Sequence, residues 1–236
     1  MSARTPAGGP AADGGPPPEG SLRAHYARIA ASSEEELAAD LLALTATHGD
    51  RDRDRLRDWA ATALEFGREM ADSRGDAWSP PDIEITEKER GGVRPGEILL
   101  AEYLHRGARS RVVVYDDALT FAGRVARAAG WSDDYSRATV REAALAHEEA
   151  HRMLHGELGR SLRRRLDHTA LRIGPLRVRG HVVGADEITA HSYARHRCSL
   201  RRSPIALTAA IAAALTHRGP DRQGPGPRAT TPGVHP

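Results

Sequence analysis

Apolar residues follow two different rhythms along this chain, and the rhythm changes twice. Up to the Pro80-Pro81 pair the spacing is helical. Ser33 followed by Glu36 has the separation of a capping box, which predicts a helix opening there and running to Gly49. Beyond the charged stretch at 51–58, Leu56, Trp59, Ala63, Phe66 and Met70 step by three and four. They predict a second helix with one apolar stripe and its charges on the solvated face. After the prolines, Ile83 and Ile85 alternate with polar neighbours, 97–104 forms a second strand and 111–115 a third, with turns at Gly91-Gly92 and Gly107. Helical spacing then returns. One helix is expected to be capped by Asp116 or Asp117 and to end before Gly130, and another to run from about Arg137 to His155. Two more are expected near 185–199 and 203–217.

Helices, then a small sheet, then helices predict an α+β fold. Residues 1–20 and 218–236 are rich in Pro and Gly without apolar periodicity, and are expected to be disordered tails. Between them the reading is a helical N-terminal extension, 21–75, and a main domain, 80–217. With 39% hydrophobic residues in 236, the middle of the chain can bury a core.

No stretch reaches the roughly 18 apolar residues that cross a bilayer, and the opening residues lack the apolar segment of a secretory signal. A single cysteine, Cys198, excludes an internal disulfide and a cysteine-based zinc finger. A soluble cytoplasmic protein without a membrane partner is therefore expected. Net charge is +2, and Lys88 is the only lysine. Positive charge carried almost wholly by Arg, beside abundant Ala, Gly and Pro, fits the coding bias of a GC-rich bacterium.

The chemistry is concentrated in the helix expected at 137–155. His147-Glu148-Glu149-Ala150-His151 is an HExxH pattern. Residues i and i+4 share a helical face about 6 Å apart along the axis, so two imidazoles can converge on one zinc at about 2.0–2.1 Å. Glu148 is turned about 100° away, too far to be a ligand. It can still take a proton from a water on the metal, as a general base for attack on a carbonyl.

A third protein donor is needed. His155 lies about 12 Å along the axis from His147, out of reach of a shared ion. The later segment from Asp186 to Ala194 presents Glu187, with Ala190 and Ala194 as small residues on its face that permit a close helix approach. Glu187 is the expected third ligand. His191, one turn on, is the rival, with an alternative role as a hydrogen-bond donor to the ligand carboxylate or to a developing oxyanion. Tyr193 is a further candidate for that supporting role.

HEEAHRMLH followed by EITAHSYA resembles the gluzincin zinc metallopeptidases, and more narrowly the compact ImmA/IrrE-type group with its HExxHxLLH run and later ExxAxxFA helix. The likeness covers roughly 95–200, with only the two motif segments specific. It implies that 80–217 is a minimal zincin-like metallopeptidase domain, with a small, mostly antiparallel sheet packed on the HExxH helix. It also implies one zinc per chain held by His147, His151 and Glu187, Glu148 as general base, and a peptide or protein substrate.

Weaker signals remain. Val112–Tyr115 is either an edge strand along which a peptide could pair or a plain core strand. Cys198 could be a nucleophile only with a base beside it, and is expected to be structural or incidental. The connector 160–180 carries seven arginines but no interleaved aromatic residues, which argues against nucleic acid and for a solvated loop or hairpin flanking the cleft. A second functional expectation is a non-catalytic, regulatory module of the same fold, binding a protein or nucleic-acid partner through that connector.

Overall fold

The computed structural model describes residues 21–48, 50–73, 83–106, 109–173 and 176–217. The tails expected to be disordered, the Pro80-Pro81 pair and the Gly107 turn lie outside these residues. Three helices come first, α1 (Leu22–Ala31), α2 (Glu34–Ala43) and α3 (Arg53–Ser73). The capping box of α2 is formed in both directions, with Ser33 Oγ accepting from Glu36 N–H at 3.1 Å and Glu36 Oε2 accepting from Ser33 N–H at 3.0 Å. This helix stops at Ala43 and not near Gly49. Turns follow it, and they carry His48 inward, where it is buried against Trp59 and lies 3.2 Å from the Val183 carbonyl oxygen. In α3 all five residues of the apolar stripe are buried.

The β segments are β1 (Glu84–Lys88), β2 (Val93–Arg94), β3 (Glu97–Ile98), β4 (Ala101–Arg106) and β5 (Arg109–Tyr115). The expected strand at 97–104 is two strands, because Leu99 N–H bonds to the Gly92 carbonyl and closes the β2–β3 hairpin before β4 begins. The main sheet has the order β1-β5-β4, with β1 parallel and β4 antiparallel to β5. It is mixed, which corrects the expectation of a mostly antiparallel sheet. β5, the strand containing Val112–Tyr115, is central and buried, so β4 takes the edge position.

Then follow α4 (Asp116–Ala128), α5 (Arg137–Leu154), α6 (Glu157–Leu166), β6 (Thr169–Ile173), β7 (Leu176–Arg179), α7 (Ala185–Arg197) and α8 (Pro204–His217). Tyr115, not Asp116 or Asp117, is the N-cap residue of α4. The Asp117 carboxylate instead accepts N–H groups from Gly91, Gly92 and Val93, tying the β1–β2 turn to the start of the helix. Gly130, at φ +76°, ends the α4 region as expected. The arginine-rich connector is α6 and the antiparallel β6–β7 hairpin.

The fold is α+β, with eight helices among the described residues. The residues expected to form an N-terminal extension share one continuous core with the rest, since Leu42, Trp59, Ala63 and Phe66 belong to the same buried cluster as Val114, Leu119, Ile188 and Tyr193. α3 lies tightly along α7. Thr189 Oγ1 donates to the Ala63 carbonyl at 3.2 Å and Ser192 Oγ to the Leu64 carbonyl at 2.6 Å. Gly67 allows this approach, because a Cβ there would stand 2.7 Å from Ser192 Cβ and closer still to the Thr189 carbonyl oxygen. No helix among the described residues is long and apolar enough to cross a membrane.

Candidate metal centre

Ser136 opens α5 by accepting the Thr139 N–H at 3.1 Å, and the helix runs unbroken to Leu154 with His155 as its C-cap. His147 and His151 therefore lie one turn apart, and their Nε2 atoms are 3.0 Å from each other. Glu187, in the first turn of α7, spans the pair. Its Oε2 is 3.3 Å from His147 Nε2 and its Oε1 is 3.2 Å from His151 Nε2. Three donors at 2.0–2.1 Å around a tetrahedral ion stand about 3.3–3.4 Å apart. The two imidazole nitrogens stand just inside that spacing, and each carboxylate oxygen stands at about that spacing from one of them. Two imidazoles and a carboxylate are also a donor set suited to zinc, so these residues fit the ion.

His191 packs against this group. Its ring centroid is 4.5 Å from that of His147, and one of its ring nitrogens lies within 4.8 Å of donor atoms of His147 and Glu187. On its other side Nε2 is 3.5 Å from the Thr208 hydroxyl of α8. The shorter separations belong to the trio containing His151. Nδ1 of both His147 and His191 is buried without a hydrogen-bond partner.

The charges at the centre depend on one another. Hydrogen bonds from His147 and His151 hold the Glu187 carboxyl far below the usual carboxylate range. Burial disfavours a charged His151, but the Glu187 carboxylate outweighs it and raises that imidazole. Burial pushes His191 down to about 3, so its ring is neutral. Burial also raises Glu148, against the pull of the two neighbouring imidazoles. Glu148 Oε2 accepts the backbone N–H of Tyr103, on edge strand β4, at 2.9 Å.

These groups line a cleft of about 460 Å³. Its remaining walls are largely apolar, from Leu100 before β4, Val140 and Ala144 on α5, and Leu207 and Ile211 on α8. Half of the Glu187 side chain is exposed, so the centre is open to solvent.

His147, Glu148, His151, Glu187 and His191 are thus brought together. Tyr193 is not among them. It is fully buried away from the cleft lining, and its hydroxyl donates to Glu149 at 2.9 Å. His155 is exposed at the end of α5, and exposed His181 faces Asp186 at 4.0 Å. Burial pushes the Cys198 thiol up to about 11, away from the range of a nucleophilic cysteine. No residue of α6 lines the cleft. Sequence reasoning missed the Tyr103 amide, a backbone donor that leaves no trace in residue identity, and Thr208, whose hydroxyl has no motif around it.

No known protein family, characterised protein or solved structure matches this chain.

Proposed function

We propose that the chain is a zinc-dependent peptidase of zincin-like fold, with His147, His151 and Glu187 as the metal ligands and Glu148 as general base. One observation carries this reading: the Glu187 carboxylate reaches across from α7 to within 3.3 Å of both imidazole Nε2 atoms of α5. A zinc ion held there would supply Lewis acidity, able to polarise a substrate carbonyl and acidify water.

The chain's own groups supply the rest. Glu148 is oriented by the Tyr103 amide at Oε2, which leaves Oε1 to receive a proton from the attacking water and pass it to the leaving amine. Burial lifts its carboxyl from the ordinary range towards that of a base effective nearer neutrality. Neutral His191, lining the cleft, can donate an N–H to the oxyanion that develops on the carbonyl.

A peptide substrate suits the edge position of β4. Because Tyr103 N–H points towards α5, alternation along the strand sends the amide and carbonyl of Ala101, which also lines the cleft, the same way, where an extended chain in the cleft could pair with them. The apolar walls of the cleft would shield the reacting groups from water.

Purified protein carrying one zinc per chain, incubated with a mixture of unstructured peptides, should cleave them. Chelation should stop cleavage and added zinc restore it. A zinc-loaded chain that leaves every peptide intact overturns the proposal.

A further inference from the structure

Two helices must keep a fixed register if side chains from both are to meet at one ion, and here a residue pair outside the ligand set joins them. Glu149 lies on α5 midway between His147 and His151, yet it faces the interior and is 8% exposed. Tyr193 lies on α7 six residues beyond Glu187 and is fully buried. The Tyr193 hydroxyl donates to Glu149 Oε2 at 2.9 Å. We infer that Glu149 and Tyr193 are a positioning pair, setting how Glu187 stands over His147 and His151 and thereby the affinity and coordination geometry of the metal. The inference rests on the zinc reading above.

A carboxylate at an inner position of the HExxH helix is expensive to bury, and an apolar residue would fill the same space more cheaply. What the carboxylate adds is a directional bond to a phenol on the facing helix. Helix α7 is also fixed on α3 by the Thr189 and Ser192 hydroxyls and the contact at Gly67. The Tyr193–Glu149 bond ties the same helix to α5, within two residues of both histidines. A shift of α7 along or about its axis would move Glu187 and this bond together. Partners that hydrogen-bond a ligand directly are worth about 10–100-fold in metal affinity, and this pair, which acts on the ligands only through the helices, should be worth less.

The test uses the full chain, measuring zinc affinity by competition with a chromophoric chelator, the visible spectrum of the cobalt(II)-substituted protein, and thermal stability. Tyr193→Phe should weaken zinc binding by up to about tenfold and alter the cobalt bands. Glu149→Gln keeps an acceptor oxygen for the hydroxyl and should stay within about threefold of wild type. The double variant Tyr193→Phe/Glu149→Leu removes the buried carboxylate together with the phenol that donates to it, so it should regain much of the stability lost by Tyr193→Phe. Its zinc affinity should nevertheless stay low.

Unchanged affinity and spectrum in Tyr193→Phe would overturn the inference. So would an affinity that returns with stability in the double variant. A wild-type chain that binds no zinc removes the underlying reading, and this inference with it.

Discussion

The backbone N–H of Tyr103 on β4 donates to Glu148 Oε2 on α5, joining the sheet edge to the HExxH helix at 2.9 Å. The bond orients the carboxylate without consuming it, since the second oxygen stays available. Under the proposed function, a peptide paired along β4 would run past Glu148.

Glu148→Gln retains an acceptor for Tyr103 while removing the base. Zinc content should be unchanged and peptide hydrolysis should fall by about 10²–10⁴-fold. Stability supplies a second reading. Burial raises the Glu148 carboxyl above its ordinary 4.5, so folding disfavours the ionised form and stability is lost as pH rises through the folded value. Metal-free Glu148→Gln escapes that loss and should melt a few degrees above wild type at neutral pH. The gap should close below about pH 4.5. A variant that melts lower than wild type at neutral pH would contradict this account of the carboxylate.

The Glu187–His151 contact has its own pH signature in metal-free protein. Glu187 is held below its ordinary 4.5, so its contribution is present above that value and lost as pH falls through the folded pKa. His151 is raised above 6.5, so its contribution is full below that value and lost as pH rises through the folded pKa. The stability gap between wild type and Glu187→Gln should therefore be widest between about pH 4.5 and 6.5 and shrink on the alkaline side. Thermal melts across this range would show it, and a gap that does not change with pH would count against the pairing. Zinc must displace the proton on His151, so uptake near pH 6.5 should release protons, readable by calorimetry in buffers of different ionisation enthalpy.

Gly67 lies inside α3, where alanine would ordinarily stabilise the helix by about 0.5–1 kcal/mol. Here the added methyl meets the α7 backbone and Ser192 Cβ, and overpacking costs about 1–3 kcal/mol. The overpacking outweighs the propensity gain. Gly67→Ala should lower unfolding stability by roughly 1–2 kcal/mol in a denaturant titration. A more stable variant would mean that α3 and α7 are not in close contact.

Local signals in the sequence located several helices, but α1, despite its Ser21 cap, and α6 were not anticipated, and α2 ends well before Gly49. Ser33 with Glu36, the Leu56 to Met70 stripe, Gly130 and the span of α5 all needed information from one or two turns of chain. The HExxH face was legible for the same reason, because residues i and i+4 meet on any helix. What pairs across distance was not legible. The apolar run at 97–104 reads as one strand because nothing local announces that Leu99 bonds back to Gly92. The parallel β1–β5 pairing and the edge position of β4 depend on how separate segments meet. Asp117 looks like a cap by position, but it serves a distant turn. Tyr193 and Glu149 carry no shared motif, and only the packing of α5 on α7 makes them partners.

The proposed binding of one ion by two imidazoles and one carboxylate from two helices is read out by metal content after chelation and zinc readdition. Wild-type chain should retain about one zinc through gel filtration, while His147→Ala/His151→Ala should retain none and Glu187→Ala far less than wild type. A wild-type chain without zinc, or a full equivalent still held by the double-histidine variant, would contradict it.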